Sequence, residues 1–330
     1  MKIGALMKIV VIGGSGHIGS FLVPRLVRAG HEVINVSRGS SPPYADVPEW
    51  QQVRQVTADR DHEEREGSFG DRVAALGADV VVDLICFTLE SATALVESLR
   101  NQTEHLLHCG SIWRHGVSLK LPIAEGTESA AEPLDQYGIR KRDIAGMLKE
   151  ETAAGGLATT SIHPGHIVGP GWLPIGPLGN LDPGVWHTIA SGQPLQVPGS
   201  GTELMHHVHA DDVAQAFEKA ILHRDAAAGE DFNIVAPTAL TVRGYVSIAS
   251  SWFGQEPRME TVSWEEFRRT TTPEFADSSW AHLSRNHCMS IHKAASLIGY
   301  APGYEPEQAV RESVQWLIDN KQLTVPSLLA

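Results

Sequence analysis

Tyr137 and Lys141 stand four residues apart in Tyr137-Gly138-Ile139-Arg140-Lys141. On a helix, positions i and i+4 share a face. A lysine ammonium beside a phenol favours the phenolate and lowers its titration from the usual value of about 10. That would let Tyr137 serve as general acid or base near neutrality. Ser111 precedes Tyr137 by about 26 residues and follows the apolar run His105-Leu106-Leu107-His108-Cys109. From the end of such a strand its hydroxyl can donate to the same reacting oxygen. A third group is Gly13-Gly14-Ser15-Gly16-His17-Ile18-Gly19, with glycines spaced Gly13-x-x-Gly16-x-x-Gly19. Glycine permits a tight turn and close approach of backbone to a pyrophosphate, and a helix N-terminus offers N–H groups and a favourable dipole.

The choice of dinucleotide is read at the end of the second strand. An acidic residue there favours NAD, and a cation favours a 2′-phosphate. The chain has Ser37-Arg38 and no carboxylate. An arginine fork suits phosphate, so NADP is the expected cofactor, with NAD as the alternative.

These groups need a scaffold. Lys8–Ile12 is a short β-branched run bounded by glycines, and His17–Ala29 has helical apolar spacing closed by Gly30. Strands are expected at 32–36, 52–57, 79–85, 105–109 and 158–162, with helices at 63–76, 90–99 and 134–151. This alternation predicts an α/β fold: a doubly wound parallel sheet covered on both faces. After Pro164 the pattern changes. Gly169 to Asn180 is turn-rich. A helix at 184–190, a strand near 206–209, a helix at 210–222 and a strand at 232–235 follow, and the remainder is expected to be mostly helical. The predicted plan is a nucleotide-binding domain over residues 1–170, to which about 205–237 return. A smaller, discontinuous, mostly helical substrate-binding domain takes up 171–330.

The chain has 330 residues, 42% hydrophobic and 20% charged, which excludes a disordered or fibrous protein. Its net charge of −13 argues against nucleic acid as a partner. Cys86, Cys109 and Cys288 are too few and too scattered for a disulfide framework or a Cys-x-x-Cys metal site. No stretch reaches the roughly 18 apolar residues of a membrane span. No signal peptide precedes the first strand, so a cytoplasmic location is expected. Met-Lys-Ile occurs at both Met1 and Met7, leaving the start of translation open between them. In His206-His207-Val208-His209, His207 and His209 share one strand face and His206 takes the other. Two imidazoles without a carboxylate set make a poor zinc site, and no metal is expected. Asp211 and Asp212 read as helix-start residues.

Together, the glycine loop, Asp59, Ser111, Tyr137/Lys141, Val168-Gly169-Pro170-Gly171, His209-Ala210-Asp211-Asp212 and Leu297-Ile298-Gly299-Tyr300 resemble the extended short-chain dehydrogenase/reductase family, the NAD-dependent epimerases and dehydratases. The resemblance implies a Rossmann domain with a small C-terminal substrate domain. It implies that Tyr137 shuttles the proton, Lys141 holds the nicotinamide ribose and tunes Tyr137, and Ser111 hydrogen-bonds the reacting oxygen. Asp59 would meet the adenine. It further implies a cofactor site along Gly13, Gly16, His17, Ile18, Gly19, Ser37, Arg38, Asp59, Arg60, Ile85, Cys86, Lys141, Pro164 and His166.

The departures carry information on substrate. Ile12 stands where the family often has Thr, and Ile85-Cys86 where it usually has Ala-Gly. His163 and His166 stand where nucleotide-sugar members carry Arg and Asn. Met205 occupies the position of the arginine that grips a substrate diphosphate. Substrates other than nucleotide sugars are therefore expected. Trp113, His115, His166, Trp172, Asn180 and Trp186 are the candidate substrate contacts, through stacking and hydrogen bonds to a sugar-like compound. The expected activity is hydride transfer on a small hydroxy or carbonyl compound. The alternatives are an epimerase or dehydratase with transient oxidation, and a non-catalytic dinucleotide-sensing regulator. A small molecule is the expected partner, and a homodimer is left open.

Overall fold

The computed structural model describes residues 6–44, 47–126 and 130–329. The first copy of Met-Lys-Ile lies outside them. Seven strands form one sheet: β1 (Lys8–Ile12), β2 (Glu32–Ser37), β3 (Arg54–Thr57), β4 (Val80–Asp83), β5 (His105–Cys109), β6 (Thr159–Pro164) and β7 (Asp231–Ile234). The order is β7-β6-β5-β4-β1-β2-β3, and every pairing is parallel. This is the expected doubly wound, Rossmann-type arrangement. The direction of winding reverses between β1 and β4, so a crevice opens at their carboxyl ends.

The two faces of the sheet can be read from β1 alone. Side chains alternate along a strand. Ile9 and Val11 therefore enter one core cluster with Leu22, Val23, Val213 and Phe217. Val10 and Ile12 enter another with Leu95, Val96, Ile144 and Leu148. Helices α1 (Gly19–Arg28) and Ala210–Leu222 thus cover the first face, and Leu89–Leu99 and Gln136–Ala153 the second. Ala294, Ile298 and Tyr300 also join the first cluster, so the chain near its C-terminal end rejoins the sheet. A further core gathers Trp186, Leu195, Val197, Tyr245, Trp252, Phe267 and Val314 from the rest.

The single helix expected over 63–76 is two helices, Arg60–Arg65 and Phe69–Ala74. Gly67 adopts φ +70°, and the Ser68 N–H turns back to the Glu63 carbonyl, which ends the first helix. The later part is mostly helical, as expected, with short strands between its helices. His166–Val168 pairs with His207–His209, Leu195–Pro198 with Met259–Val262, and Leu204–Met205 with Leu240–Thr241. These strands have two to four residues each, too few for a period to show. No helix of the described residues is long and apolar enough to cross a membrane.

Candidate active site

The glycine loop connects β1 to α1 at the crevice. Gly13 has φ +84°, and a Cβ there would lie 2.7 Å from Ile85 Cγ2. A Cβ on Gly19 would lie 2.2 Å from the Gly14 carbonyl oxygen, so only glycine lets the helix start this close to the loop. The loop is held from outside by Asn35. Its Oδ1 accepts the Gly14 N–H at 2.9 Å, and its Nδ2 donates to Gln55 Oε1 at 2.7 Å. Asn35 interrupts the apolar run Val33-Ile34-Asn35-Val36, and that misplaced polarity is the signal in the sequence that marks it. The N–H groups of His17 and Ile18 find no acceptor among the described residues. Free N–H groups at a helix start, with a cradle that side chains would fill, fit a dinucleotide pyrophosphate.

Ser111 follows β5, and its backbone N–H donates to His163 Nδ1 at 3.1 Å. The ring of His163 packs so closely under this turn that a Cβ on Gly110 would lie 2.1 Å from Nδ1. Tyr137 and Lys141 project from the first turns of the helix Gln136–Ala153. Asp135 caps that helix, with Oδ1 accepting the Gly138 N–H at 2.7 Å. Lys141 is buried, and its Nζ donates to the carbonyls of Cys86 and Cys109, both at 2.7 Å. Desolvation lowers its titration below the ordinary lysine value.

One expectation is corrected here. Lys141 does not lower the Tyr137 phenol in this structure. Its ammonium is aimed at the two carbonyls and lies 5.8 Å from the centre of the tyrosine ring. Burial pushes the phenol up to about 12, with the nearby Ser111 hydroxyl opposing the shift. The residue is 42% exposed, so solvent tempers this effect, but its direction is upward.

Ser111, Tyr137 and Lys141 line one cavity of about 560 Å³ together with Gly13, Gly16, His17, Ile18 and Gly19. A second cavity of about 380 Å³ shares Gly13, Gly16, Ile85 and Phe87 with it, and reaches Ser37, Arg38, Asp59 and Arg60. Arg38 is exposed and makes no ion pair among the described residues, as a phosphate ligand requires. Asp59 caps the helix Arg60–Arg65. Arg60 commits one N–H from each of its three nitrogens to Glu64, Asp83 and Ser91, which fixes its guanidinium beside the cavity. Lys141, Pro164 and His166 line the larger cavity; Cys86 contributes through its carbonyl to Lys141.

The substrate candidates divide. Trp113, His166 and Trp172 line the larger cavity. Trp172 is 45% exposed and stacks on His17, with ring centres 4.8 Å apart. His115, Asn180 and Trp186 are buried and do not line it. Asn180 bonds to Ser279 Oγ and accepts the Asp182 N–H, and Trp186 packs against Trp252 and Tyr245. Their turn-rich neighbourhood gave no hint of which side chains point inward. Asp212 accepts the Gly303 N–H at 2.7 Å and Asp211 pairs with Arg25, while His209 caps the helix that follows. Among the described residues no three His, Cys, Asp or Glu side chains converge as metal ligands. Two contributors come from the C-terminal part, which was expected to be helical but offered no candidate site residue there. His282 lines the cavity, and buried Arg285 stacks over Trp113 at 3.9 Å while pairing with Asp135.

The sequence model of the NAD dependent epimerase/dehydratase family matches residues 9–235, which include the glycine loop, Ser111, Tyr137 and Lys141. The chain belongs to that family. Curated relatives within its reach differ in kind. A chloroplast stem-loop binding protein of 41 kDa from Arabidopsis thaliana is 28% identical over 93% of this chain and 78% of its own length. The 2'-dehydrokanamycin reductase of Streptomyces kanamyceticus is 30% identical over 68% of this chain and 60% of its own. Among solved structures, the UDP-glucose 4-epimerase of Thermotoga maritima has a TM-score of 0.69 at 20% identity, covering 96% of this chain and all of that one (100%). The epimerase Mth375 of Methanothermobacter thermautotrophicus has a TM-score of 0.72 at 20% identity, over 96% and 94%. These structures share the family's fold with this chain.

Proposed function

We propose that this protein is an NAD(P)-dependent oxidoreductase that reduces or oxidises a small, sugar-like hydroxy or carbonyl compound. The observation that carries this reading is the convergence of the glycine loop, Ser111, Tyr137 and Lys141 on one cavity. A bound nicotinamide cofactor would supply or take up the hydride there. Tyr137 gives or takes the proton on the substrate oxygen, and Ser111 donates a hydrogen bond to that oxygen. Because burial holds the phenol protonated, Tyr137 is set as a proton donor, the role that reduction needs. Gly13, Gly16, His17 and Ile18 hold the pyrophosphate, and Arg38 holds a 2′-phosphate, which makes NADP the preferred cofactor.

In this reading residues 1–170, with about 205–237 returning, bind the cofactor, and 171–330 supply the substrate wall. Nucleotide sugars are not the substrates. Met205, at the position of the diphosphate-gripping arginine, is fully buried in the apolar core. The reductase relative, named for a dehydrokanamycin, is compatible with a polyhydroxylated substrate. Nucleic acid is not a partner in this reading, given the net charge of −13.

The test is a screen of neutral hydroxy and carbonyl compounds, following nicotinamide absorbance. Net change in free cofactor distinguishes an oxidoreductase from an epimerase, which returns the hydride to its own substrate. Tyr137→Phe is expected to lower kcat about 10²–10⁴-fold with cofactor affinity nearly unchanged. Near wild-type turnover by this variant would remove Tyr137 from the mechanism.

A further inference from the structure

Resting on the oxidoreductase reading, we propose that His282, with His166 beside it, forms a subsite that accepts a hydrogen bond from an uncharged hydroxyl of the substrate. The tautomer of His282 is fixed by its surroundings. Its Nδ1 lies 2.8 Å from the Ser278 carbonyl oxygen. A carbonyl can only accept, so Nδ1 carries the proton and Nε2 keeps its lone pair. Nε2 makes no hydrogen bond among the described residues, and the residue lines the cavity that holds Tyr137. The ring stands 4.9 Å from Trp113, whose indole meets the edge of the Tyr137 ring at 6.1 Å, and 5.1 Å from His166. His166 is 9% exposed and belongs to the same lining, and neither of its ring nitrogens has a partner. Unpartnered polar groups in an enclosed wall cost stability that a ligand recovers by supplying the partner.

The charge state decides the ligand class. Burial lowers His282 to about 4, opposed by the Ser278 and Gly179 backbone and by Asp135, while Arg285 lowers it further. Burial and the neighbouring His282, His207, His287 and His206 hold His166 well below the ordinary histidine value. Both rings are therefore neutral at pH 7. Among the described residues Lys141 is the one fixed cation of the lining, and it serves two backbone carbonyls. A phosphate or carboxylate would be desolvated here without a counter-charge, whereas an O–H finds an acceptor. The class is thus neutral polyols and hydroxycarbonyl compounds.

The experiment uses the full chain labelled with ¹⁵N-histidine and saturated with NADP. Saturation is itself the check on the underlying reading; if neither NADP nor NAD binds, that reading fails, and the His282 tautomer is still measurable. Nitrogen shifts should show His282 neutral, with its proton on Nδ1, down to about pH 6, where an ordinary histidine would be mostly protonated. D-glucose, myo-inositol and dihydroxyacetone are the neutral probes. At least one should move the Nε2 resonance and bind more tightly than glucose 6-phosphate and dihydroxyacetone phosphate. His282→Phe should weaken that probe about 3–10-fold, with NADP affinity unchanged, and His282→Gln should recover part of the loss. A proton on Nε2, tighter binding of the phosphorylated probes, no neutral probe reaching His282, or unaltered binding by His282→Phe would each overturn the proposal.

Discussion

Acid should unfold this protein at a mildly low pH, because so many of its histidines are buried as neutral rings. His17, His105 and His115 are lowered to about 3, and His206, His207 and His287 to about 4. His108, His163 and His166 lie well below the ordinary histidine value of about 6.5. All nine are 9% exposed or less, and burial is the leading cause in each. A ring whose folded titration is depressed below its unfolded value gives its full stability above about pH 6.5. That stability is lost as the pH falls towards the folded value, because only the unfolded chain takes up the proton. By pH 5 each ring forfeits roughly 2 kcal/mol, from 1.5 units at 1.36 kcal/mol per unit. Nine rings would lose about 18 kcal/mol if independent, and about half that if neighbouring charges suppress one another's protonation in the unfolded chain. Even about 9 kcal/mol is comparable with the whole stability of a typical domain, about 5–15 kcal/mol. Unfolding is therefore expected with a midpoint between about pH 5 and 6. The assay is urea unfolding at a series of pH values. Between about pH 6.5 and 5 the stability should fall by roughly 6–12 kcal/mol per pH unit, as befits five to nine protons. A slope below about 3 kcal/mol per unit, or a folded protein at pH 4.5, would refute the burial of these rings as neutral groups.

Three further outcomes are expected. NADP should bind more tightly than NAD in calorimetry, and Arg38→Ala should erase the difference; equal affinities in the wild type would dismiss Arg38 as the phosphate ligand. Lys141→Met removes two charge-assisted bonds of about 1.5–3 kcal/mol each but also relieves a buried ammonium. Urea unfolding should show a net loss of about 1–3 kcal/mol, and unchanged stability would contradict the two carbonyl contacts. In the cofactor-free protein, the ultraviolet difference between wild type and Tyr137→Phe should show no phenolate below about pH 10. Ser111→Ala should move that titration higher, since the serine opposes the upward shift; a tyrosine ionising near neutrality would restore the direct influence of Lys141.

The parts of this molecule legible in its sequence are those where a local pattern and a local cause coincide. The strand His105–Cys109 and the helices Gly184–Ala190 and Ala210–Leu222 fall at their expected bounds, because each is a run of one period closed by a change of residue type. The parallel sheet followed from the βα alternation, whereas its seventh strand, Asp231–Ile234, lies beyond the regular repeat. The glycine loop and Ser111, Tyr137 and Lys141 were legible as chemistry because spacing alone puts them near one another. What spacing cannot show is direction. Lys141 shares a helix face with Tyr137, yet long-range carbonyls from Cys86 and Cys109 draw its ammonium away from the phenol. Trp186 and Asn180 lie in the same turn-rich stretch as Trp172 and have the same apparent aptitude for sugars. Only packing against residues 60 or more positions away separates a core tryptophan from a cavity one. His282 and Arg285 sit on a segment with no motif, and their role exists only through contacts with His166, Trp113 and Asp135.

The two carbonyl bonds of Lys141 bear on how relatives of this protein are to be read. Cys109 ends β5 and Cys86 follows β4, so one ammonium ties the ends of adjacent strands to the helix that covers them. A lineage that gave up hydride transfer would still need that tie to hold the carboxyl ends of these two central strands to their helix. The lysine would then persist under selection for folding alone. Tyr137 has no such second duty, being 42% exposed and free to change at little structural cost. In this fold a surviving lysine therefore says little about whether a relative still catalyses anything, and the tyrosine beside it says much more. A stem-loop binding protein and a reductase can share one scaffold on these terms, with the side chain at the position of Tyr137 as the place to look for the difference.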